Sequence, residues 1–291
     1  MNVKKAVIPA AGFGTRMLPA TKVVPKEILP LGDRPAIQYL VDECVASGIE
    51  EIIVITSRSK QAIESYFDYA PELEHQMIRA GREKEALYLR ELADRAHVAC
   101  VRQKEMRGLG HAILAARPFL GDEPFAVLLG DDIIKAKKPV TRQLLDAYEE
   151  LGGTVIGVQE VDPHMITRYD SVKMTPIRDN LYAVEDVKEK PQPHEIYSNY
   201  AILGRYILTP EIFPMLEMLP PGHGGEIQLT DSIAALCGRS PVTAVDFEGK
   251  RYDTGSMHGY LEAQIELSLD YPYVGAWLKD YLKELVKSFD K

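Results

Sequence analysis

Apolar residues in the first half of the chain form short continuous runs rather than an alternating pattern. These runs, at residues 4–9, 51–56, 97–102 and 125–129, predict strands that are buried on both faces. Helical patterns lie between them, at residues 36–47, 60–67, 72–94 and 110–116. Buried strands separated by helices indicate a parallel sheet. Such sheets bind ligands beyond the carboxyl ends of their strands, so we expect a site there.

The second half has shorter apolar segments. Residues 154–161, 171–174, 181–187, 201–208 and 242–247 are predicted strands, with a turn at residues 178–180. Helices are expected at residues 211–218 and 228–237, and two more close the chain. The last helix carries five apolar side chains at helical spacing: Trp277, Leu278, Tyr281, Leu282 and Leu285. These side chains would either cover the core or form the contact surface of a homo-oligomer.

Composition excludes several classes of protein. With 46% hydrophobic and 26% charged residues, the 291-residue chain can bury a sizeable core and is not expected to be disordered. No apolar run approaches the ~20 residues of a membrane helix, and the apolar start is too short for a signal peptide, so we predict a cytoplasmic protein without a membrane partner. The net charge of −9 argues against nucleic acid as a partner. Cys44, Cys100 and Cys237 are far apart, which makes a disulfide framework or zinc site improbable.

A glycine-rich loop follows the first predicted strand. It reads Ala10-Ala11-Gly12-Phe13-Gly14-Thr15-Arg16, and its small residues allow backbone N–H groups to approach a phosphate. A P-loop would continue with Lys and Ser or Thr, and a dinucleotide-binding fingerprint would need Gly or Ala in place of Met17. The loop therefore indicates phosphate binding of another kind.

Two adjacent carboxylates follow the strand at residues 125–129. Asp131 and Asp132 stand after Gly130, where a turn or a helix cap would also favour aspartate. Asp253 follows the later strand at residues 242–247. Mg²⁺ prefers a few carboxylates together with water and phosphate oxygens. The carboxylates are therefore candidates for a magnesium site.

The longer string from Gly12 to Pro30, G-x-G-T-R-x-x-P-x-T-x-x-x-P-K-E-x-x-P, resembles the signature of the sugar nucleotidyltransferases. The resemblance extends from about residue 4 to 259, and includes an E-K-P sequence at Glu189. It implies a loop that holds the nucleotide, cations that contact phosphates, a Mg²⁺ site, and a Glu that binds sugar hydroxyls. Carried over by position, these are Ala10, Ala11, Gly12, Gly14 and Thr15 for the nucleotide, Arg16, Lys26 and Lys190 for the phosphates, Asp131 and Asp253 for the metal, and Glu189 for the sugar.

Other residues are similar to the uridylyltransferase branch that makes UDP-glucose. Gln103 follows Arg102, and Gly108 opens G-L-G-H-A; a Gln amide can read a base edge, and Gly108 and Gly110 would let the backbone approach a flat ring. His111 of the same segment is expected to have no catalytic role. For the sugar side, Asn199 is a candidate contact, and Asp132 would be a sugar contact or a support behind one. Residues 225–231 also look like this branch and are expected at a helix start, with a structural role or a sugar contact.

The resemblance implies a three-layer α/β sandwich around a mixed, mainly parallel sheet. Residues 1–150 would bind the nucleotide, residues 151–259 the sugar phosphate on the same sheet, and residues 260–291 would form C-terminal helices. The implied substrates are UTP and glucose 1-phosphate, joined with release of pyrophosphate. A thymidylyltransferase remains an alternative, because Asp253-Thr254-Gly255 is closer to that branch; a sugar-nucleotide sensor without activity is another.

One departure from the branch concerns the sugar side. The branch has R-Y-G where this chain has Arg168-Tyr169-Asp170, followed by Ser171. A side chain and a charge then stand where a glycine backbone would touch the sugar. We expect Asp170 to face solvent, or the alignment to be shifted by a residue or two, in preference to a direct sugar contact.

Overall fold

The structure is a computed structural model and describes residues 2–289. Within this range there are thirteen strands and ten α-helices. The strands are β1 (Lys5–Pro9), β2 (Pro30–Leu31), β3 (Arg34–Pro35), β4 (Glu51–Thr56), β5 (His97–Arg102), β6 (Phe125–Leu128), β7 (Asp132–Lys135), β8 (Thr154–Glu160), β9 (Asp170–Arg178), β10 (Leu181–Glu189), β11 (Tyr200–Leu208), β12 (Val242–Asp246) and β13 (Lys250–Asp253). The helices are α1 (Ala36–Ala46), α2 (Gln61–Tyr66), α3 (Pro71–Arg79), α4 (Glu83–Asp94), α5 (Leu109–Leu120), α6 (Val140–Leu151), α7 (Ile212–Met218), α8 (Leu229–Leu236), α9 (Met257–Ser268) and α10 (Gly275–Phe289).

Nine strands form one mixed sheet in the order β5-β4-β1-β6-β11-β8-β12-β10-β9. The four strands predicted from the first apolar runs are parallel to one another. β11 then runs antiparallel between β6 and β8, which joins the strands of both halves of the chain into one sheet. β12 is parallel to β8, and β10 and β9 close the sheet as an antiparallel hairpin.

The sheet has a hydrophobic core on each face, and this makes the molecule a three-layer sandwich. Successive residues of β1 point to opposite sides, so Ala6 and Ile8 join one core while Val7 joins the other. The first core packs under α1 and α6, and the second under α5, α7 and α8. The predicted fold class is confirmed.

The helix predicted over residues 72–94 is wrong as a single element. Gly81 adopts a φ of 72° and separates α3 from α4. The amide of Arg82 donates to the carbonyl of Met77 at 2.9 Å, which is the closing bond expected when a left-handed glycine ends a helix. The apolar periodicity continues across the break, so it did not reveal the glycine stop.

A small antiparallel ribbon of β7 and β13 was not predicted. It pairs Asp132 with Asp253 across 121 positions of sequence. Each strand has only four residues, too few for a clear apolar pattern. The ribbon brings the second aspartate loop beside the first.

The C-terminal helix α10 exposes its apolar side chains. Trp277 and Tyr281 stack with ring centroids 5.3 Å apart, and both are at least half exposed. Trp277 and Tyr281 therefore do not cover the core, whereas Leu278 and Leu282 of the same helix are half-buried. The homo-oligomer stays a prediction. None of the helices within residues 2–289 has the length and apolar character needed to cross a membrane.

Candidate nucleotidyl-transfer site

A cleft of about 580 Å³ lies beyond the carboxyl ends of β1, β5 and β6. These strands are neighbours or near neighbours in the sheet, so the loops that follow them converge, as the strand pattern predicted. The cleft contains residues from the glycine-rich loop, the segment after β5, the loop after β6 and the end of β10. The predicted site residues that line it are Ala11, Gly12, Thr15, Arg16, Lys26, Gln103, Gly108, Asp131 and Lys190.

The glycine-rich loop is anchored at both ends. The buried Ala10 donates its amide to the carbonyl of Ile55 at 2.8 Å, which continues the β1–β4 pairing. Gly14 has a φ of 66°, and its carbonyl accepts the hydroxyl of Thr21 at 2.8 Å. A Cβ at Gly12 would have nothing within 4 Å. Packing within the chain therefore gives no reason for glycine at position 12, and a ligand approaching this backbone would give one.

Two aspartates and two cations meet on one side of the cleft. Lys26 donates to Asp131 at 2.7 Å, and the guanidinium of Arg16 lies 3.4 Å from Asp131 and 3.7 Å from Asp253. Burial opposes ionisation of Asp131, but the positive charges of Lys26 and Arg16 outweigh it and hold its pKa below the ordinary value. Burial likewise disfavours the ammonium of Lys26, and Asp131 outweighs that effect, so the pKa of Lys26 is raised. The pKa shifts of Asp131 and Lys26 therefore both favour the charged form of this pair.

The donor set at this point fits magnesium. Within residues 2–289, no group of three or more His, Cys, Asp or Glu side chains converges as a complete metal cage. Asp131 and Asp253 offer two carboxylates that contact one guanidinium. Mg²⁺ commonly uses one or two carboxylates and takes its remaining ligands from water and substrate phosphates. Asp131 in the cleft and Asp253 beside it, joined by their contacts with Arg16, match that requirement.

Asp132 lies inside the protein rather than in the cleft. Its carboxylate is only 4% exposed and accepts both the Nε and an Nη of Arg251 at 2.6 Å. Burial raises the pKa of Asp132, and Arg251 opposes that shift. Arg251 in turn covers the ring of Tyr169, with its central carbon 5.2 Å from the ring centroid. A carboxylate engaged in this way supports the loop of Asp131 from behind, which is the second of the two roles considered for Asp132.

Lys190 reaches the cleft from an unusual backbone conformation. Its φ is 41°, in the left-handed region that non-glycine residues seldom adopt. The conformation is held by a 2.8 Å hydrogen bond from its amide to the carbonyl of Tyr169. Its ammonium lies 3.4 Å from a carboxylate oxygen of Glu189. Backbone strain of this kind is often found at functional sites, where the surrounding structure maintains it.

The expectation that Asp170 faces solvent is wrong. It begins β9 opposite Glu189 of β10, and only 6% of its surface is exposed. One oxygen accepts the amide of Ile202 at 2.6 Å, and the other lies 3.4 Å from the hydroxyl of Thr230. The alternative, an alignment with the family pattern that is shifted by a residue or two, stays a prediction. The carboxyl is buried because it satisfies a backbone N–H of β11, a requirement that the local sequence does not reveal.

Gln103 is held by its own neighbours. Its amide nitrogen donates to the carbonyl of Gly108 at 3.2 Å and contacts Nδ1 of His111 at 3.0 Å. Both amide hydrogens are thereby used, so the side chain offers its oxygen to the cleft as an acceptor. Sequence reasoning gave His111 no catalytic role, and this contact identifies it as the residue that orients Gln103. Gly108 has a φ of 98°, and a Cβ there would lie 2.7 Å from Glu226, so packing within the chain requires glycine at this position. The approach of its backbone to a flat ring stays a prediction.

Asn199 does not line the cleft, but the segment before it is firmly held. The hydroxyl of Ser171 accepts the amides of Tyr197 and Ser198 at 2.9 and 3.0 Å, and donates to the carbonyl of Ser198. Asn199 itself is half-buried, and its carbonyl accepts the amide of Val161. Ser171 was noticed only as a departure from the family pattern, and its role depends on contacts across two strands.

A buried ion pair lies under the nucleotide loop and was also missed. Lys60 donates to both carboxylate oxygens of Glu27 at 2.9 and 2.7 Å, and neither residue is more than 5% exposed. Glu27 follows Lys26 directly and therefore fixes the backbone from which Lys26 reaches Asp131. Lys60 stands between a strand and a helix in a polar stretch, where its burial leaves no sequence signal.

Residues 5–268 match the model of the nucleotidyl transferase family, and the chain belongs to that family. A UTP–glucose-1-phosphate uridylyltransferase of Bacillus subtilis (strain 168), YngB, is 46% identical over 286 residues, which cover 98% of this chain and 96% of the relative. A UTP–glucose-1-phosphate uridylyltransferase of Staphylococcus epidermidis is 48% identical over 284 residues, 98% and 99% of the two chains. The solved structure of a UTP-bound UGPase from Acinetobacter baumannii matches with a TM-score of 0.91 and 37% identity, over 97% of this chain and 99% of the other.

Proposed function

We propose that this protein is a UTP–glucose-1-phosphate uridylyltransferase, which converts UTP and α-D-glucose 1-phosphate into UDP-glucose and pyrophosphate. The observation that carries the proposal is the cleft at the strand ends, where Arg16, Lys26 and Lys190 come together from three segments beside two aspartates. The two uridylyltransferases described above share nearly half of their residues with this chain over almost its whole length.

The chemistry requires charge neutralisation more than proton transfer. The phosphate oxygen of the sugar 1-phosphate is already anionic at neutral pH, so it attacks the α-phosphate of UTP without a general base. Repulsion between the two anionic substrates is then the main obstacle, and fixed cations that bring them together lower it. Lys26 and Lys190 hold the two phosphates in line, and Arg16 stabilises the leaving pyrophosphate.

A bound Mg²⁺ would supply further charge neutralisation at the phosphates. Asp131 and Asp253 would hold it, since Asp131 lines the cleft and both carboxylates already contact one cation, the Arg16 guanidinium. Asp132 and Arg251 keep the Asp131 loop in place from the interior. A cytoplasmic location stays a prediction.

Base recognition depends on the fixed amide of Gln103. Its exposed oxygen accepts the imide N–H of uracil, while its nitrogen stays engaged with Gly108 and His111. Thymine has the same imide edge, whereas cytosine and adenine present a ring nitrogen without hydrogen. With cytosine or adenine, the acceptor oxygen of Gln103 would be left unpaired in the closed site, and such a loss discriminates strongly between bases. UTP is therefore preferred, dTTP tolerated, and CTP and ATP are poor substrates.

The direct test is pyrophosphate release over a grid of triphosphates and sugar 1-phosphates. We expect the highest kcat/KM for UTP with glucose 1-phosphate. A preference for dTTP would instead identify a thymidylyltransferase. If no pair of substrates released pyrophosphate, the proposal that the protein is an enzyme of this kind would be contradicted.

Two variants test the roles of the cations in that assay. Lys190→Ala should lower kcat at least tenfold and impair use of the sugar phosphate, with binding of UTP nearly intact. Arg16→Ala should instead impair use of the triphosphate. Lys188→Ala is the matched control, because Lys188 lies two residues from Lys190 and pairs with the half-buried Glu195. Near-normal kcat/KM for both substrates in both variants would contradict the assignments.

A further inference from the structure

Two carboxyl groups share one hydroxyl at the edge of the proposed sugar subsite. Asp170 and Glu189 face each other where β9 begins and β10 ends. The hydroxyl of Thr230, in the first turn of α8, lies 2.8 Å from Glu189 and 3.4 Å from Asp170. A hydroxyl has a single hydrogen to donate, so it can satisfy only one of two ionised carboxylates at a time.

We propose that Asp170 is a positioning residue for Glu189, acting through the hydroxyl of Thr230, and that its ionisation weakens binding of the sugar phosphate. This inference rests on the proposed function. A protonated Asp170 donates to Thr230, which then donates to Glu189 and orients it. An ionised Asp170 competes for the same hydrogen and adds a negative charge beside the subsite that Lys190 completes.

The surroundings of Asp170 favour a proton exchange near neutral pH. Burial raises its pKa to about 7; the amide of Ile202 opposes the shift, and the charge of Glu189 adds to it. Within residues 2–289, no Lys or Arg side chain lies within ion-pair distance of Asp170. The nearby cations pair with other carboxylates, Lys190 with Glu189 and Arg251 with Asp132. The titratable and charged groups around it are Glu189 and Lys190 at the end of β10, Tyr206 of β11, Asp231 of α8, and Arg251 of β13 with its partner Asp132.

The decisive variant is Asp170→Asn. Its amide oxygen can still accept from Ile202, and its NH₂ group can donate to Thr230 at every pH, so the variant imitates the protonated carboxyl without a cavity. KM for the sugar phosphate, KM for UTP and kcat are measured from pH 6 to 8.5 for both proteins. The phosphate of the substrate itself titrates near pH 6. The ratio of wild type to variant removes that contribution.

The expected ratio of the two KM values for sugar phosphate is near one at pH 6 and rises several-fold by pH 8.5. KM for UTP should be the same in both proteins at each pH. A ratio that stays constant with pH, or an equal change in KM for UTP, would overturn the inference. A wild type that forms no pyrophosphate with any substrate pair would reject the proposed function together with it, which is a distinguishable result.

Two changes at Thr230 test the hydroxyl itself. Thr230→Val keeps the shape but removes the hydrogen bond, so KM for sugar phosphate should be raised at all pH values and lose its dependence on Asp170. Thr230→Ser restores the hydroxyl and should recover the wild-type profile. If Thr230→Val kept the wild-type profile, the hydroxyl would not link the two carboxyl groups. A merely structural threonine would not give a pH profile that serine rescues.

Discussion

Replacement of Lys60 by methionine tests the buried support of the nucleotide loop. Methionine keeps most of the apolar stem but removes the ammonium that donates to both oxygens of Glu27. Glu27 is fully buried and packs against Gly130, where an added Cβ would lie 3.5 Å from the Cγ of Glu27. In the variant, the carboxylate of Glu27 would therefore lose the cation that hydrogen-bonds both of its oxygens and would gain little access to water.

The magnitude follows from the proton that Glu27 would then take up. Burial already raises the pKa of Glu27, and the charges of Lys60 and Lys26 oppose that shift, so loss of Lys60 raises it further. Protonating a carboxyl with an ordinary pKa of about 4.3 at pH 7 costs about 4 kcal/mol, since each unit corresponds to about 1.4 kcal/mol. Breaking one side of a buried ion pair typically costs about 3–5 kcal/mol. We expect a loss of about 3–4 kcal/mol in the free energy of unfolding.

The sign of the pH dependence follows from linkage. In the variant the folded pKa of Glu27 lies above the unfolded value, so the folded state binds the proton more tightly between the two values. The pKa of Glu27 is also raised in the wild type, but less, because Lys60 opposes the shift. The variant's deficit in stability should therefore shrink as pH falls from 7 towards the wild-type pKa of Glu27, by at most about 1.4 kcal/mol for each pH unit.

Urea unfolding at pH 5.5 and 7.5 measures this difference. The double variant Lys60→Met with Glu27→Gln should recover much of the loss, because no charge is left in the interior. Lys4→Met, which removes an exposed ion pair with Glu50, is the surface control and should change stability by less than about 1 kcal/mol. A Lys60→Met protein within about 1 kcal/mol of wild type at pH 7.5, or a deficit that does not shrink in acid, would refute the reasoning.

Three further outcomes are expected. Asp253→Asn should lose most of kcat, and excess EDTA should abolish turnover of the wild type, so full activity in EDTA would reject the magnesium site. Gln103→Ala should reduce the preference for UTP over CTP at least tenfold in kcat/KM, and an unchanged preference would exclude this amide as the base reader. Burial opposes ionisation of Glu43, but Arg205 outweighs burial and lowers the pKa of Glu43, so wild-type stability should fall as pH drops below the ordinary carboxyl pKa of about 4.3. Glu43→Gln should lose about 3 kcal/mol in the free energy of unfolding at pH 7, measured in urea, and its stability should depend less on acid. An equal loss of stability in acid for both proteins would contradict this.

Local sequence was sufficient for the central sheet and for one wall of the cleft. The four apolar runs became β1, β4, β5 and β6. β1, β4 and β6 are apolar because both of their faces are largely buried, whereas β5 lies at the edge of the sheet and is only partly buried. The glycine-rich loop and Asp131 follow two of these strands directly, so the parallel arrangement alone brings them to the same edge. Half of the residues that line the cleft were therefore predicted.

The rest of the site depends on contacts between segments that are far apart in sequence. Asp253 reaches the neighbourhood of Asp131 through the β7–β13 ribbon, whose two short strands carry no pattern of their own. The family resemblance suggested this partnership, but composition and spacing could not.

The sequence by itself determined the strands of the main sheet, the phosphate-binding loop and the residue types available for chemistry, because apolar periodicity and small residues act over a few neighbouring positions. Only the tertiary structure decided which polar groups became buried and with whom. Asp170 was expected in solvent, yet it is enclosed because Ile202 of β11 needs an acceptor and Glu189 lies opposite it. Gln103 likewise acquired a fixed orientation from His111. Burial and hydrogen-bond partnership are properties of the packed chain, since the groups that exclude water and supply partners come from other strands and helices.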